Sequence, residues 1–104
     1  MAAKPKGKRR TSARRTVTVV NRLGLHARAA NKFVKTVRAF NVKVTVARKV
    51  LGGEGERVPG DSIMGLMMLA AGPGTRLAVR AHGPDAVPVL DALSRLIAGR
   101  FEED

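Results

Sequence analysis

The stretch GLHARAANKFV, Gly24 to Val34, sets His26 between a glycine turn and the start of an amphipathic run, with Arg28 two residues on. Ala30, Phe33, Val34 and Val37 fall at i, i+3, i+4 and i+7, one face of a helix, so the spacing predicts a helix over 27–40 with His26 at or near its N-cap. Free backbone N–H groups at a helix start favour an anion by about 0.3–1 kcal/mol when exposed, and up to about 2 in better geometry. An imidazole at that place has a ring lone pair beside an anion-binding site. A phosphoryl group on the ring would sit where the amides point, and Arg28 can fork onto its oxygens. Nucleophile, accepting field and cation together suit a transient phosphohistidine. On its own, a histidine after Gly-Leu reads more simply as a capping or turn residue. The elements around it have to decide.

Those elements follow from periodicity. TVTVV (Thr16–Val20) alternates as a half-buried strand does. After the helix, on whose other face lie Arg28, Lys32, Lys35 and Arg38, NVKVTVA (Asn41–Ala47) returns to strict alternation, with Val42, Val44 and Val46 inward and Lys43 and Thr45 outward. RKVLGGEGE reads as a glycine-rich hairpin loop and RVPG as a short third strand, ended at an edge or turn by Pro59. DSIMGLMMLAAGPG opens on a cap-type residue and runs apolar for one short helix until Gly72-Pro73-Gly74. TRLAVRA (Thr75–Ala81) is a fourth strand. Ala86, Leu90, Leu93 and Ile97 mark a last helix ending near Gly99, with Asp85 as cap and Pro88 in the first turn. The order β-α-β-β-α-β-α predicts an α+β domain: a four-stranded antiparallel sheet covered on one face by three helices.

Composition bounds the rest. The chain has 104 residues, 44% of them hydrophobic and 3% aromatic, which fits one folded domain with an aliphatic core. With no cysteine there is no disulfide, thiolate metal site or thiol nucleophile, which suits a reducing compartment. No apolar run approaches the roughly 20 residues of a membrane span, and no apolar stretch follows the basic start as in a secretory signal. A cytoplasmic location is expected. Residues 1–15 hold Lys4, Lys6, Lys8, Arg9, Arg10, Arg14 and Arg15 and no acid; subtracting these seven from the net charge of +12 leaves +5 for residues 16–104. The expected organisation is a disordered basic tail over 1–15 and one domain over 16–104. Such a tail is either a solvated extension or a weak, salt-dependent holder of an anionic partner. The absence of Tyr and Trp weakens single-strand binding by the body.

In the second motif, Leu66, Leu69 and Ala70 can face the core. Ile63, Met64 and Met67 then share a more exposed side, and exposed methionines suit a surface that must fit several partners. GLHARAANKFV followed at this distance by SIMGLMMLAAGPGT resembles the HPr family, the histidine-containing phosphocarriers of the bacterial phosphoenolpyruvate-dependent phosphotransferase system. The resemblance covers about residues 16–101 and implies an open-faced β-sandwich. It implies phosphorylation on Nδ1 of His26, a phosphate contact from Arg28, and a regulatory phosphoserine at Ser62, the substrate of a serine kinase in some bacteria. It also implies a docking patch at Ile63, Met64 and Met67. Enzyme I would supply the phosphoryl group and an EIIA-type protein would take it. The carrier would be a stoichiometric monomer, not an enzyme, with no metal and no cofactor. Many members have proline where this chain has Ala29, and Asn31 stands where a small residue is usual. Alanine there, with SIMGLMMLA, resembles the nitrogen-related branch and proteobacterial forms, and adds regulation to sugar uptake as an expected role.

Three rivals remain open at this point. They are a purely regulatory phosphorelay, a nucleic-acid binder acting through the basic tail, and an enzyme using His26 as general base. The last lacks a carboxylate partner in sequence. His82, in the turn HGPD, is expected at the surface.

Overall fold

The structure, a computed structural model, describes residues 11–103. Its elements run β1 (Ser12–Thr18), α1 (Ala27–Arg38), β2 (Lys43–Val50), β3 (Gly53–Glu54), β4 (Val58–Pro59), α2 (Ile63–Met68), β5 (Arg76–His82) and α3 (Ala86–Ala98), and a single turn follows at Arg100–Glu102. The strands lie in the order β1-β5-β2, and β3 and β4 both pair with β2. Every pairing is antiparallel. This is the expected α+β open-faced sandwich, with the third strand delivered in two short pieces.

The alternation of the strands sorts the faces. Val44 stands opposite Ala81 and Val46 opposite Val79, and all four are buried with Leu77 beneath the helices. From α1 the core receives Ala29, Ala30, Phe33, Val34 and Val37; from α3 it receives Ala86, Val89, Leu90, Leu93 and Ile97. Each set has helical spacing, so burial of one stripe per helix does most to hold the layers together. Asp85 occupies the N-cap of α3, but its carboxylate instead accepts the backbone N–H of Asn41 at 2.8 Å.

Several boundaries differ from the sequence expectation, three of them with consequences for packing. The first strand begins at Ser12, so residues 12–15, expected in the tail, belong to the sheet; residues 1–10 of that tail lie outside the described residues. The reason is alternation with amphipathic side chains. Ala13 and Val17 pack against the core, and Arg15 between them bonds Asp91 at 2.9 Å and Ser94 at 3.1 Å on α3, its stem covering apolar surface while its head stays wet. The strand then ends at Thr18, although Val19 still exchanges backbone bonds with Gly74 and Thr75. The glycine-rich loop is tighter than expected. Lys49 pairs with Glu54 and Val50 with Gly53, leaving Leu51-Gly52 as a two-residue turn with Gly52 at φ 87°. Finally, Ala70 is exposed at φ 53°, and Ala71 fills the core in its place.

If Arg15 belongs to the sheet, Arg15→Ala lowers the unfolding free energy by about 0.5–1.5 kcal/mol through lost packing and a half-exposed ion pair. Arg14→Ala then stays within about 0.5 kcal/mol. Urea unfolding of the two variants reads the difference; equal, negligible effects would return both residues to a tail.

Candidate functional site

The turn before α1 is shaped by Gly24. Its φ is 67°, and a Cβ there would stand 2.2 Å from the carbonyl oxygen of Ala71, so glycine is required both by conformation and by space. Leu25 then donates its N–H to that same carbonyl at 2.9 Å. These contacts tie the chain leaving α2 to the residue before His26.

His26 is the N-cap of α1 with an extended backbone, and its carbonyl accepts the N–H of Ala30 at 2.8 Å. Its Nδ1 takes the backbone N–H of Arg28 at 3.3 Å, and its Nε2 lies 2.6 Å from Oε2 of Glu103. The partners assign the proton. A backbone N–H can only donate, and a carboxylate can only accept, so Nε2 carries hydrogen and Nδ1 keeps its lone pair. The His26 side chain is 26% exposed and that of Glu103 12%. Arg28 lies exposed on the first turn, and among the described residues its guanidinium makes no hydrogen bond or ion pair.

Glu103 was not legible as a partner. The sequence offered only an acidic end and no carboxylate beside His26, whereas the structure folds that end onto the ring. Arg100, Phe101 and Glu102 take left-handed φ values of 59°, 55° and 64°, a reversal costing roughly 1–2 kcal/mol per residue. Phe101 is fully buried, its carbonyl accepts Lys32 Nζ at 2.6 Å, and Lys32 also meets Glu102 at 3.4 Å. Buried Asn21, missed as well, donates its Nδ2 to Glu103 Oε1 at 3.0 Å and to the carbonyl of Gly24 at 2.9 Å. Loss of hydration opposes ionisation of Glu103 most strongly. The hydrogen bonds from His26 and Asn21, with the electrostatic pull of the His26 ring and the Arg28 cation, outweigh it and hold the carboxyl below its ordinary value of 4.5.

Ser62 is the N-cap of α2, its hydroxyl accepting the N–H of Gly65 at 3.0 Å. Ile63 and Met67 are each 39% exposed and Met64 69%. Met68, 78% exposed, extends the same apolar surface and was not singled out in the sequence. His82 is exposed, its Nδ1 2.6 Å from Ser12 Oγ. The structure therefore brings His26, Arg28 and Glu103 together, sets the α2 residues on the adjoining element, and keeps His82 apart on β5.

The family described as "PTS HPr component phosphorylation site" matches residues 13–99. The chain belongs to the HPr family. The phosphocarrier protein HPr of Neisseria meningitidis is 43% identical over 90 residues, covering 86% of this chain and 96% of that protein. The HPr of Xylella fastidiosa is 46% identical over 88 residues, covering 85% and 93%. The crystal structure of an HPr from Thermoanaerobacter tengcongensis superposes with a TM-score of 0.78 at 33% identity, covering 88% of this chain and 98% of that one. As an HPr-family protein, the chain is a phosphocarrier component of the phosphotransferase system rather than a catalytic enzyme. Among the described residues, no helix is long and apolar enough to cross a membrane.

The depressed Glu103 value has a sign. Its contribution to stability is present above the ordinary value of 4.5 and is lost as pH falls through the lower folded value. Unfolding free energies measured across that acid range should therefore fall more steeply in the wild type than in Glu103→Gln; parallel curves would contradict the pairing.

Proposed function

We propose that this HPr-family chain accepts a phosphoryl group on Nδ1 of His26 from the phosphohistidine of enzyme I, and passes it to a histidine of an EIIA-type protein, in sugar uptake, regulation or both. The observation that carries this reading is the division of one ring between two partners. Nε2 is engaged by Glu103, and among the described residues Nδ1 bonds only the amide of Arg28.

In the forward step, the Nδ1 lone pair attacks phosphorus as the donor's P–N bond breaks, and the electron pair returns to the donor's ring. Attack leaves His26 with phosphorus on Nδ1 and hydrogen on Nε2, a ring that carries positive charge. The Glu103 carboxylate is placed to stabilise that charge, much as a buried acid orients a catalytic histidine. The N–H of Arg28, released from Nδ1, meets a phosphoryl oxygen at the helix N-terminus, and the uncommitted guanidinium adds a charge-assisted bond. Transfer to the acceptor reverses each step. Ile63, Met64 and Met67, with Met68, form an adaptable apolar patch for both partners. Cations at Arg28, Lys32 and Lys35 steer acidic partner surfaces toward the site. The reading places the carrier in the cytoplasm as a monomer, with Ser62 open to a serine kinase.

Incubated with phosphoenolpyruvate and its own enzyme I, the protein should acquire an acid-labile, base-stable phosphate that His26→Ala abolishes. Phosphate persisting in that variant would refute the assignment. Glu103→Ala should slow acceptance about 10–150-fold, the worth of one charge-assisted hydrogen bond of about 1.5–3 kcal/mol. Glu103→Gln, whose side-chain oxygen still accepts from Nε2–H, should recover part of the rate; an unimpaired Glu103→Ala would remove Glu103 from the mechanism.

A phosphate on Ser62 would add near-divalent charge beside the docking patch. Ser62→Asp should accept phosphate from enzyme I at least about tenfold more slowly, since a charge facing an acidic partner costs at least about 1.4 kcal/mol. Acceptance at the wild-type rate would exclude this regulation.

A further inference from the structure

The sheet face turned away from the helices is set with cations by its register. Arg14 stands directly opposite Arg80, Thr18 opposite Arg76, and both Ser12 and Lys43 opposite His82. Lys49 shares this face by alternation, and Arg57 reaches onto it to bond Thr45 Oγ1 at 2.9 Å. Among the described residues the strands carry one carboxylate, Glu54, which pairs with Arg57 at 2.5 Å and Arg80 at 3.2 Å. Arg14, Lys43, Lys49 and Arg76 make no ion pair among the described residues. Like charges directly opposite each other destabilise a strand pair; Glu54 answers Arg80, which leaves Arg14 to favour an external counter-charge. A shallow concavity of about 520 Å³ lies here, lined by Ser12, Arg14, Lys43, Thr45, Arg80 and His82. The sequence just upstream of Ser12 carries Lys4, Lys6, Lys8, Arg9 and Arg10.

We propose that this face docks the phosphate backbone of duplex nucleic acid. Cations of one strand stand four to six residues apart on this face, Arg76 and Arg80 on β5 and Lys43 and Lys49 on β2, about 13–20 Å at the usual rise, with neighbouring strands about 5 Å away, so a duplex with one negative charge per about 1.7 Å of axis brings several phosphates within their reach. Stacking on single-strand bases needs exposed aromatic side chains. The chain has no Tyr or Trp, and Phe33, Phe40 and Phe101 pack in or against the core. Insertion into a bilayer needs protruding apolar groups, whereas the inner positions of this face are Thr16, Thr45, Ala47 and Ala78. What remains is backbone contact that carries no sequence information.

The full chain, titrated against a labelled duplex of mixed sequence, should bind with a log–log salt slope of about −4 or steeper, some four or more phosphates being neutralised. The variant Arg14→Gln/Lys43→Gln/Arg76→Gln should lose at least about tenfold in affinity in dilute salt and flatten the slope by about three. Removing equal charge from the helical side with Lys35→Gln/Arg38→Gln/Arg95→Gln should cost less than about threefold, because that charge touches no phosphate. Thermal melting confirms that both variants fold. No duplex binding in dilute salt would overturn the proposal. So would equal losses in the two variants, or tighter binding to a matched single strand or to anionic phosphatidylglycerol vesicles.

Discussion

The hydrogen bond between His26 Nε2 and Glu103 Oε2 joins the first helix to the end of the described chain, and much of the site's arrangement is organised around it. It fixes which ring nitrogen holds the proton and thereby which one keeps a lone pair. Reaching it takes three consecutive non-glycine residues in left-handed backbone, a strain of roughly 1–2 kcal/mol each. Strain of this kind persists only where the surroundings over-determine it. Here burial of Phe101 supplies about 1.5–3 kcal/mol, and Lys32 and Asn21 hold the segment from two further sides. The carboxylate is thus delivered by packing rather than by local propensity.

The layers explain why the site is where it is. The sheet and the stripes of α1 and α3 form one aliphatic core, and the N-terminus of α1 emerges at its rim. There Gly24 lets the chain pass within contact distance of Ala71, so the nucleophile and the short α2 share one backbone junction. The apolar patch of α2 and the cationic start of α1 are consequently neighbours on the helical side. The opposite sheet face, built from the other half of each strand's alternation, has a different character: polar, cationic and poor in apolar side chains.

Much of this was legible in the sequence because it rests on short-range periodicity. The i, i+3, i+4 spacing from Ala30, the alternation of Val42 to Val46, and the cap residues His26, Ser62 and Asp85 all fall where the structure has them. Legibility failed where side chains do two jobs or where distance in sequence is large. Arg15 reads as tail because its charge hides a stem that packs on α3. The glycines after Val50 read as part of one hairpin loop of ordinary or slightly generous length, although Gly53 pairs in a strand and only Leu51-Gly52 turns. Helical phase points Ala70 inward, yet the helix has already ended and the next residue fills the core. Glu103 lies 77 residues from His26, and no local pattern in FEED announces a left-handed reversal that returns it to the ring. The same limit hid Asn21, whose role appears only when separate segments meet.

The most direct test of the account is ¹⁵N NMR of the His26 ring before and after phosphorylation. The expected result is a proton on Nε2, a deshielded and unprotonated Nδ1, and phosphorus-31 coupling to Nδ1 in the phosphorylated protein. A ring protonated on Nδ1, or phosphorus coupled to Nε2, would contradict it.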